Sequence, residues 1–282
     1  MSEFKFEHPR TVLNRYSLHA KKSWGQNFLV SEKAVRTIAE ACTLGESEIL
    51  EIGGGLGTLT QSLLHFASGK ITVVERDRDM CHVLSREFSN HPRFNLIEGD
   101  AAKFDYQNWL QTTNGIIAGN LPYQITGAIL KQVMMAGNDM KKAVFMVQQE
   151  VADRLCAPLS DKHRGALTVM VLARCSIKSV LRLKPTAFFP PPKVRSAVIA
   201  LTPHAENLLA DTVPEAFDKV VKSAFATRRK TVRNSLSKTL CEREIAEQIL
   251  QEADISPTLR AQDIELSQFI RLAQVATKHQ LV

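Results

Sequence analysis

The residues best suited to chemistry in this 282-residue sequence stand at the ends of short apolar runs. The run ILEI (49–52) leads into Gly53, Gly54, Gly55 and Gly57, and then into TLTQSLLHFA (58–67), which has helical spacing. A glycine turn between strand and helix lets the backbone turn tightly and approach a ligand with no side chain in the way. Taken alone, it is also a common way to end a strand. Glu75 closes the next run, ITVVE (71–75), at about the distance expected of a ribose-binding acid. A carboxylate there can accept hydrogen bonds from both ribose hydroxyls and would repel a 2′-phosphate. Asp100 closes a third run, FNLIEGD (94–100), where it can accept from an adenine amino group. Glycine turn, Glu and Asp then share one sheet edge, the crevice where open α/β sheets bind ligands. The turn has neither G-x-G-x-x-G spacing nor the Lys-Ser/Thr of a phosphate loop. Spacing by itself leaves a dinucleotide and S-adenosylmethionine both open.

A fourth apolar run, GIIA, ends in GNLPYQIT (119–126), which sets a carboxamide, a rigid bend and an aromatic ring at a strand end. NLPY resembles the Asn-Leu-Pro-Tyr motif of amino methyltransferases that act on exocyclic nitrogens of bases. An aromatic amine is a poor nucleophile because its lone pair is delocalised into the ring. In this reading the side-chain oxygen of Asn120 and the backbone carbonyl of Leu121 accept its two N–H bonds. The nitrogen then moves toward tetrahedral geometry, with its lone pair aimed at the methyl sulfonium. Pro122 fixes the bend and Tyr123 stacks on the flipped base. Positioning does most of the work, so no general base is required.

Seven stretches, in order, extend the likeness from about residue 21 to the C-terminus: GQNFL, EIGGGLGTLT, VVERD, GNLPYQIT, QQEVADRL, FFPPPKVRSAV and RRKTVRNSL. Together they resemble the small-subunit (16S) ribosomal RNA adenine N6,N6-dimethyltransferases. The resemblance implies an α/β fold: a Rossmann-like S-adenosylmethionine-dependent methyltransferase domain with a small C-terminal helical domain. It implies S-adenosylmethionine as donor and S-adenosylhomocysteine as product. Two adjacent adenines near the 3′ end of 16S rRNA would each be methylated twice, in the 30S subunit or its precursor, as part of ribosome biogenesis. Carried over by position, Gln26, Asn27, Leu29, Gly55 and Ala101 line the cofactor pocket. Gly53 meets the amino-acid moiety, Glu75 the ribose and Asp100 the adenine, with Asn120 beside them. Phe188 would cover the other face of the base. The chain departs from the family at Gln124 after the tyrosine, at Arg195 where an acid is usual, and at Ala166 within DKHRGALTV, so Arg164 inherits no role. Two alternatives stay open: a large-subunit methyltransferase of the macrolide-resistance type, and a non-catalytic ribosome assembly factor.

Positioning these residues takes strands that alternate with helices, which argues for a mostly parallel sheet. The strands are expected at 49–52, 71–75, 94–100, 115–120 and 143–148, with further apolar stretches at 167–175, 177–183 and 196–201. The pattern turns helical after about residue 203. The expected organisation is a basic N-terminal extension (1–22), a methyltransferase domain (23–203) and a helical rRNA-recognition domain of about four helices (204–282). Net charge is +7 and the sequence pI about 9.2, which raises the prospect of a polyanionic partner without specifying a fold. Arg228, Arg229, Lys230 and Arg233 are expected to open a helix as a phosphate-binding stripe, with Lys21, Lys22, Arg10 and Arg15 extending the basic surface. Such contacts position RNA without reading its sequence. Five widely spaced cysteines and scattered histidines suit a reducing cytosol and give no metal-ligand spacing. No targeting segment or membrane span is expected, and the chain is expected to act as a monomer.

Overall fold

A computed structural model describes residues 6–21, 24–122, 125–136 and 139–282. The chain divides into two compact units, Met1–Ala152 with Lys178–Pro203, and Asp153–Ile177 with His204–Val282. Its strands are β1 (Phe28–Leu29), β2 (Ile49–Ile52), β3 (Ile71–Glu75), β4 (Phe94–Glu98), β5 (Ile116–Asn120), β6 (Lys142–Gln148), β7 (Cys175–Leu183), β8 (Phe188–Phe189) and β9 (Ser196–Pro203). The helices are α1 (Pro9–Arg15), α2 (Glu32–Ala41), α3 (Thr58–Phe66), α4 (Arg78–Phe88), α5 (Tyr106–Thr113), α6 (Thr126–Met135), α7 (Gln149–Leu155), α8 (Ala166–Leu172), α9 (Pro214–Phe225), α10 (Val232–Thr239), α11 (Arg243–Glu252) and α12 (Leu266–Lys278).

Seven strands form one sheet in the order β4-β3-β2-β5-β6-β9-β7. The pairs β2–β3, β3–β4, β2–β5 and β5–β6 are parallel, whereas β6–β9 is antiparallel. Every residue of β2 and β3 is buried, as expected of parallel strands covered on both faces. The chain leaves β2 toward β3 and β4, then returns to lay β5 along the other side of β2. That reversal opens a crevice at the carboxyl ends of β2 and β5. β1 and β8 form a separate antiparallel pair, with Leu29 opposite Phe188 and Phe28 opposite Phe189.

The second unit is helical. Phe217, Leu236, Ile249, Leu250, Ile264 and Phe269, each at 0% exposure, build its core. α8 belongs here because Val169, Met170 and Ala173 enter that same apolar cluster. Sequence pattern alone places residues 153–177 with the sheet, and the structure differs. The run LTVMVLARC is mostly apolar, so it carries no local sign of which core it joins; it forms most of α8, a turn at Ala173 and Arg174, and the first residue of β7. Among the described residues, no helix is long and apolar enough to cross a membrane.

The approach of β2 and β5 can be tested at Gly119. A methyl group there would lie 2.6 Å from the Ile52 carbonyl oxygen, an atom of the neighbouring strand's backbone. Gly119→Ala should lower unfolding free energy by about 1–3 kcal/mol, the range for overpacking, as read by urea titration. Wild-type stability would show that the strands separate without cost.

Candidate active site

The crevice holds a cavity of about 310 Å³, near the lower end of the range of ~300–1,000 Å³ for small-molecule sites. The carboxyl ends of β2, β3 and β5 and the segment after β4 supply its walls, together with Trp24–Leu29. Gly53 and Gly55 sit at φ +73° and +54°, a left-handed backbone that side chains rarely adopt. A Cβ on Gly55 would also come within 3.2 Å of the Phe28 ring.

Glu75 is 8% exposed and already well supplied with donors. Its Oε1 accepts from the backbone N–H groups of Arg76 and Asp77, both at 2.8 Å, and its Oε2 accepts from Gly55 N–H at 3.0 Å. A carboxylate offers about four acceptor positions, so one remains, on Oε2. Glu75 can therefore take one ribose hydroxyl as it stands, and a second only if the Gly55 N–H is released. Asp100 accepts from Ala102 N–H at 2.9 Å through Oδ1, which caps the 3₁₀ turn Ala101–Lys103. The carbonyl of Ala101 is held by the buried Tyr106 hydroxyl at 2.8 Å. Burial pushes that phenol well above its ordinary range, so it is a neutral donor.

Asn120 ends β5 at the cavity. Its Nδ2 donates to the Asn27 carbonyl at 3.1 Å, which settles the amide orientation and presents Oδ1 as the acceptor. Leu121 is 1% exposed and donates its N–H to Met146 O at 3.1 Å. The Pro122 carbonyl accepts from Ile125 N–H and Thr126 Oγ1, each at 3.1 Å, which ties the bend to the start of α6. Tyr123 and Gln124 lie outside the described residues, as does Lys22. Leu29 is 4% exposed, at the cavity's apolar side. Gln26 lines the cavity, but its side chain is engaged elsewhere: Nε2 donates to Asp77 at 2.7 Å and Oε1 accepts from Lys21 N–H at 2.9 Å.

Phe188 is 4% exposed, packs in the sheet's apolar core with Leu29 and Leu183, and is not among the residues that line the cavity. Strand alternation explains the placement: Phe188 points into that core, while Phe189 joins a different cluster and has Arg10 over its ring at 4.7 Å. The basic residues also differ from expectation. Arg228, Arg229 and Lys230 are exposed in the turn before α10, and only Arg233 is helical, so the one-face spacing argument does not apply. Arg233 pairs with Glu247 at 2.8 Å, and Arg228 donates to the Lys162 carbonyl. Lys21 is bound to Asp77 at 2.7 Å and Asp79 at 2.6 Å, and Arg15 to Glu7 and Glu87. Arg195 is exposed, with its carbonyl accepting from Gln149 N–H at 2.9 Å. Ala166 is the first residue of α8.

Three residues at or behind the cavity have no role assigned from the sequence. Trp24 is 39% exposed at the rim, with the Arg76 guanidinium 4.5 Å from its ring centroid and the Lys21 ammonium 5.3 Å away. Asp77, next to Glu75, fastens Lys21 and Gln26. Glu51, 1% exposed, borders the cavity and accepts from Thr60 Oγ1 at 2.6 Å. Burial raises its carboxyl to about 7, against a smaller opposing effect of the Thr60 bond. Its place inside a buried strand hides it, because apolar periodicity marks position 51 only as core.

An open, mostly parallel sheet with a glycine turn and acids near successive strand ends defines a Rossmann-like, nucleoside-type site. The match to the profile of the family described as ribosomal RNA adenine dimethylase runs over residues 17–278, and the chain belongs to that family. It is 38% identical to the ribosomal RNA small subunit methyltransferase A of Hahella chejuensis, over 93% of this chain and 94% of that protein. It is 36% identical to the enzyme of the same name from Pseudomonas aeruginosa, over 92% and 95%. Among solved structures, a dimethyladenosine transferase from Plasmodium falciparum superposes with a TM-score of 0.75 at 24% identity, over 90% of this chain and 98% of that one. The 23S rRNA methyltransferase ErmE does so at 0.68 and 26% identity, over 88% and 99%.

The cavity suits S-adenosylmethionine: two left-handed glycines line it without side chains, and the carboxyl groups of Glu75, Asp100 and Glu51 border it as acceptors for a cationic nucleoside. Glu51 makes a pH prediction. Its folded pKa of about 7 lies above the ordinary 4.5, so its contribution to stability is full below about 4.5 and is lost as pH rises through 7. Roughly 3 kcal/mol is involved, at about 1.4 kcal/mol per pH unit. Glu51→Gln should gain that much on wild type between those pH values in urea titrations. A difference that stays flat with pH would refute the shifted carboxyl.

Proposed function

We propose that this protein transfers methyl groups from S-adenosylmethionine to the N6 atoms of two adjacent adenines near the 3′ end of 16S rRNA, twice each, within the 30S subunit or its precursor. Membership of the ribosomal RNA adenine dimethylase family supports the reaction, and relatives named for the small subunit at 36–38% identity support that target over the large subunit. The observation that carries the reading is the orientation of Asn120, fixed by Asn27 so that an acceptor oxygen stands at the cavity.

In this reading the bound cofactor supplies an electrophilic methyl group on a sulfonium. Glu75 takes a ribose hydroxyl through the open position on Oε2, and Asp100 accepts from the adenine amino group. Gly53 and Gly55 let the backbone approach the amino-acid end, with Gln26, Asn27, Leu29 and Ala101 in the surrounding wall. Asn120 Oδ1 and the Leu121 carbonyl accept the two N–H bonds of the target amine, and Pro122 holds the bend that brings them together. Tyr123 stacks on the flipped adenine. Their shared task is alignment rather than proton abstraction. Once one methyl is attached, a single N–H remains, so one of the two acceptors must release its partner before the second transfer. On the helical unit, Arg228, Arg229 and Lys230 offer exposed cations to RNA phosphates, with Arg233 alongside.

Two experiments test this. Asn120→Ala should lower methyl transfer by about two orders of magnitude or more while S-adenosylhomocysteine affinity stays within about threefold. Labelled methyl should enter 30S subunits that lack the modification, as N6,N6-dimethyladenosine, and not 50S subunits. Label in 50S would assign the protein to the large-subunit group, and 30S binding without label would make it an assembly factor. Separately, Arg229→Glu with Lys230→Glu should weaken 30S binding and reduce the salt-dependence slope by about 2, roughly one for each cation withdrawn from a phosphate. An unchanged slope would remove the turn from the RNA interface.

A further inference from the structure

The polar contacts of Lys21 and Gln26, on the N-terminal side of the cavity, converge on one carboxylate. Asp77 is 2% exposed and does not line the cavity. Its Oδ1 accepts from Asp79 N–H at 3.1 Å, capping α4, and from Lys21 Nζ at 2.7 Å. Its Oδ2 accepts from Gln26 Nε2 at 2.7 Å and from Lys21 Nζ at 3.0 Å. The Gln26 amide cannot rotate to exchange its ends, because Oε1 already holds the Lys21 N–H at 2.9 Å. The next residue along, Asn27, gives its carbonyl to Asn120 Nδ2. A continuous path therefore runs from the N-terminus of α4 through Asp77, Gln26 and Asn27 to the amide at the end of β5.

We infer that Asp77 and Gln26 are positioning residues: their carboxylate–carboxamide bond places the cavity's N-terminal wall and, through Asn27, directs the Asn120 amide. The inference rests on S-adenosylmethionine as the occupant of the cavity. Neither side chain has to touch the reacting atoms. A carboxylate with two donors on each oxygen has no free position for a further donor, and in this part-buried network a donor set against a donor loses the bond outright.

This logic predicts an exchange of partners. In Asp77→Asn, Oδ1 can still cap α4, but a new N–H₂ faces Gln26 Nε2, donor against donor. In Gln26→Glu, carboxylate faces carboxylate. In Asp77→Asn with Gln26→Glu, donor and acceptor are reversed and matched again between positions 77 and 26, the new carboxylate can still accept the Lys21 N–H, and Lys21 Nζ, losing its 3.0 Å bond to the second oxygen, keeps Oδ1 of position 77 and Asp79. Calorimetry with S-adenosylhomocysteine should show affinity lowered about tenfold in each single variant and restored to within about threefold of wild type in the double variant. Turnover on 30S subunits should follow the same pattern, with kcat falling as well as KM rising in the single variants, because Asn120 shifts with the wall. If Asp77 served only to cap α4 through Oδ1, Asp77→Asn would keep wild-type affinity, and Gln26→Glu, which faces Oδ2 and not the capping oxygen, would change nothing further. Asp77→Asn with wild-type affinity, or a double variant no better than Asp77→Asn, overturns the inference while wild type still binds S-adenosylhomocysteine. Wild type that takes up no S-adenosylhomocysteine overturns the cofactor reading, and this inference with it.

Discussion

Two neighbouring parallel strands whose onward chains leave in opposite directions must part at their carboxyl ends, and everything at this site depends on that parting. Up to that point β2 and β5 run in register, with Ile49 beside Ile116 and Ile52 beside Gly119. Gly119 is what allows the closeness, since any larger residue would meet the Ile52 carbonyl. One residue further on, the glycine turn goes one way and Asn120 the other. The glycine turn and the Asn120 carboxamide thus border one cavity, although about 65 residues of chain separate them.

The cavity is acidic in a chain whose net charge is +7. Glu51, Glu75 and Asp100 border it, with Asp77 immediately behind Glu75. Among the described residues, Arg76 is the cation that lines the cavity, set over the Trp24 ring; Lys21 is neutralised by Asp77 and Asp79, and Arg228, Arg229 and Lys230 stand exposed on the helical unit. The two kinds of partner have opposite charge, a cationic cofactor and a polyanionic RNA. On the proposed function, this segregation of the protein's own charges would give each partner an attractive surface.

The sheet was legible because buried parallel strands announce themselves as short β-branched runs: ITVVE spans β3 from end to end, and ILEI does the same for β2. Glu75, Asp100 and Asn120 were legible for the same reason, since a polar residue closing such a run sits at the sheet edge. Local pattern says least where the outcome is decided between distant segments. Phe188 and Phe189 are adjacent aromatics, and only their pairing with β1 decides which one enters the core. RRK looked like a helix start because the helical spacing beyond it is sound, but Thr231 caps α10 and leaves the triplet in the turn. Asp77 and Gln26 are 51 positions apart and show nothing of their bond in either local pattern.

The helical unit is built from two separate lengths of chain, Asp153–Ile177 and His204–Val282, with the end of the sheet threaded between them. Such a unit does not behave as a detachable cassette. A chain cut after Pro203 would keep α8 but lose every partner of Val169, Met170 and Ala173 that comes from α9 onward. An apolar helix face would then stand open to solvent, a surface that invites aggregation. During synthesis the same helix must wait for the last 79 residues to emerge before its core can close. The sheet unit and the helical unit are therefore inherited together: neither can be shuffled away at a single splice point without leaving the other's architecture incomplete.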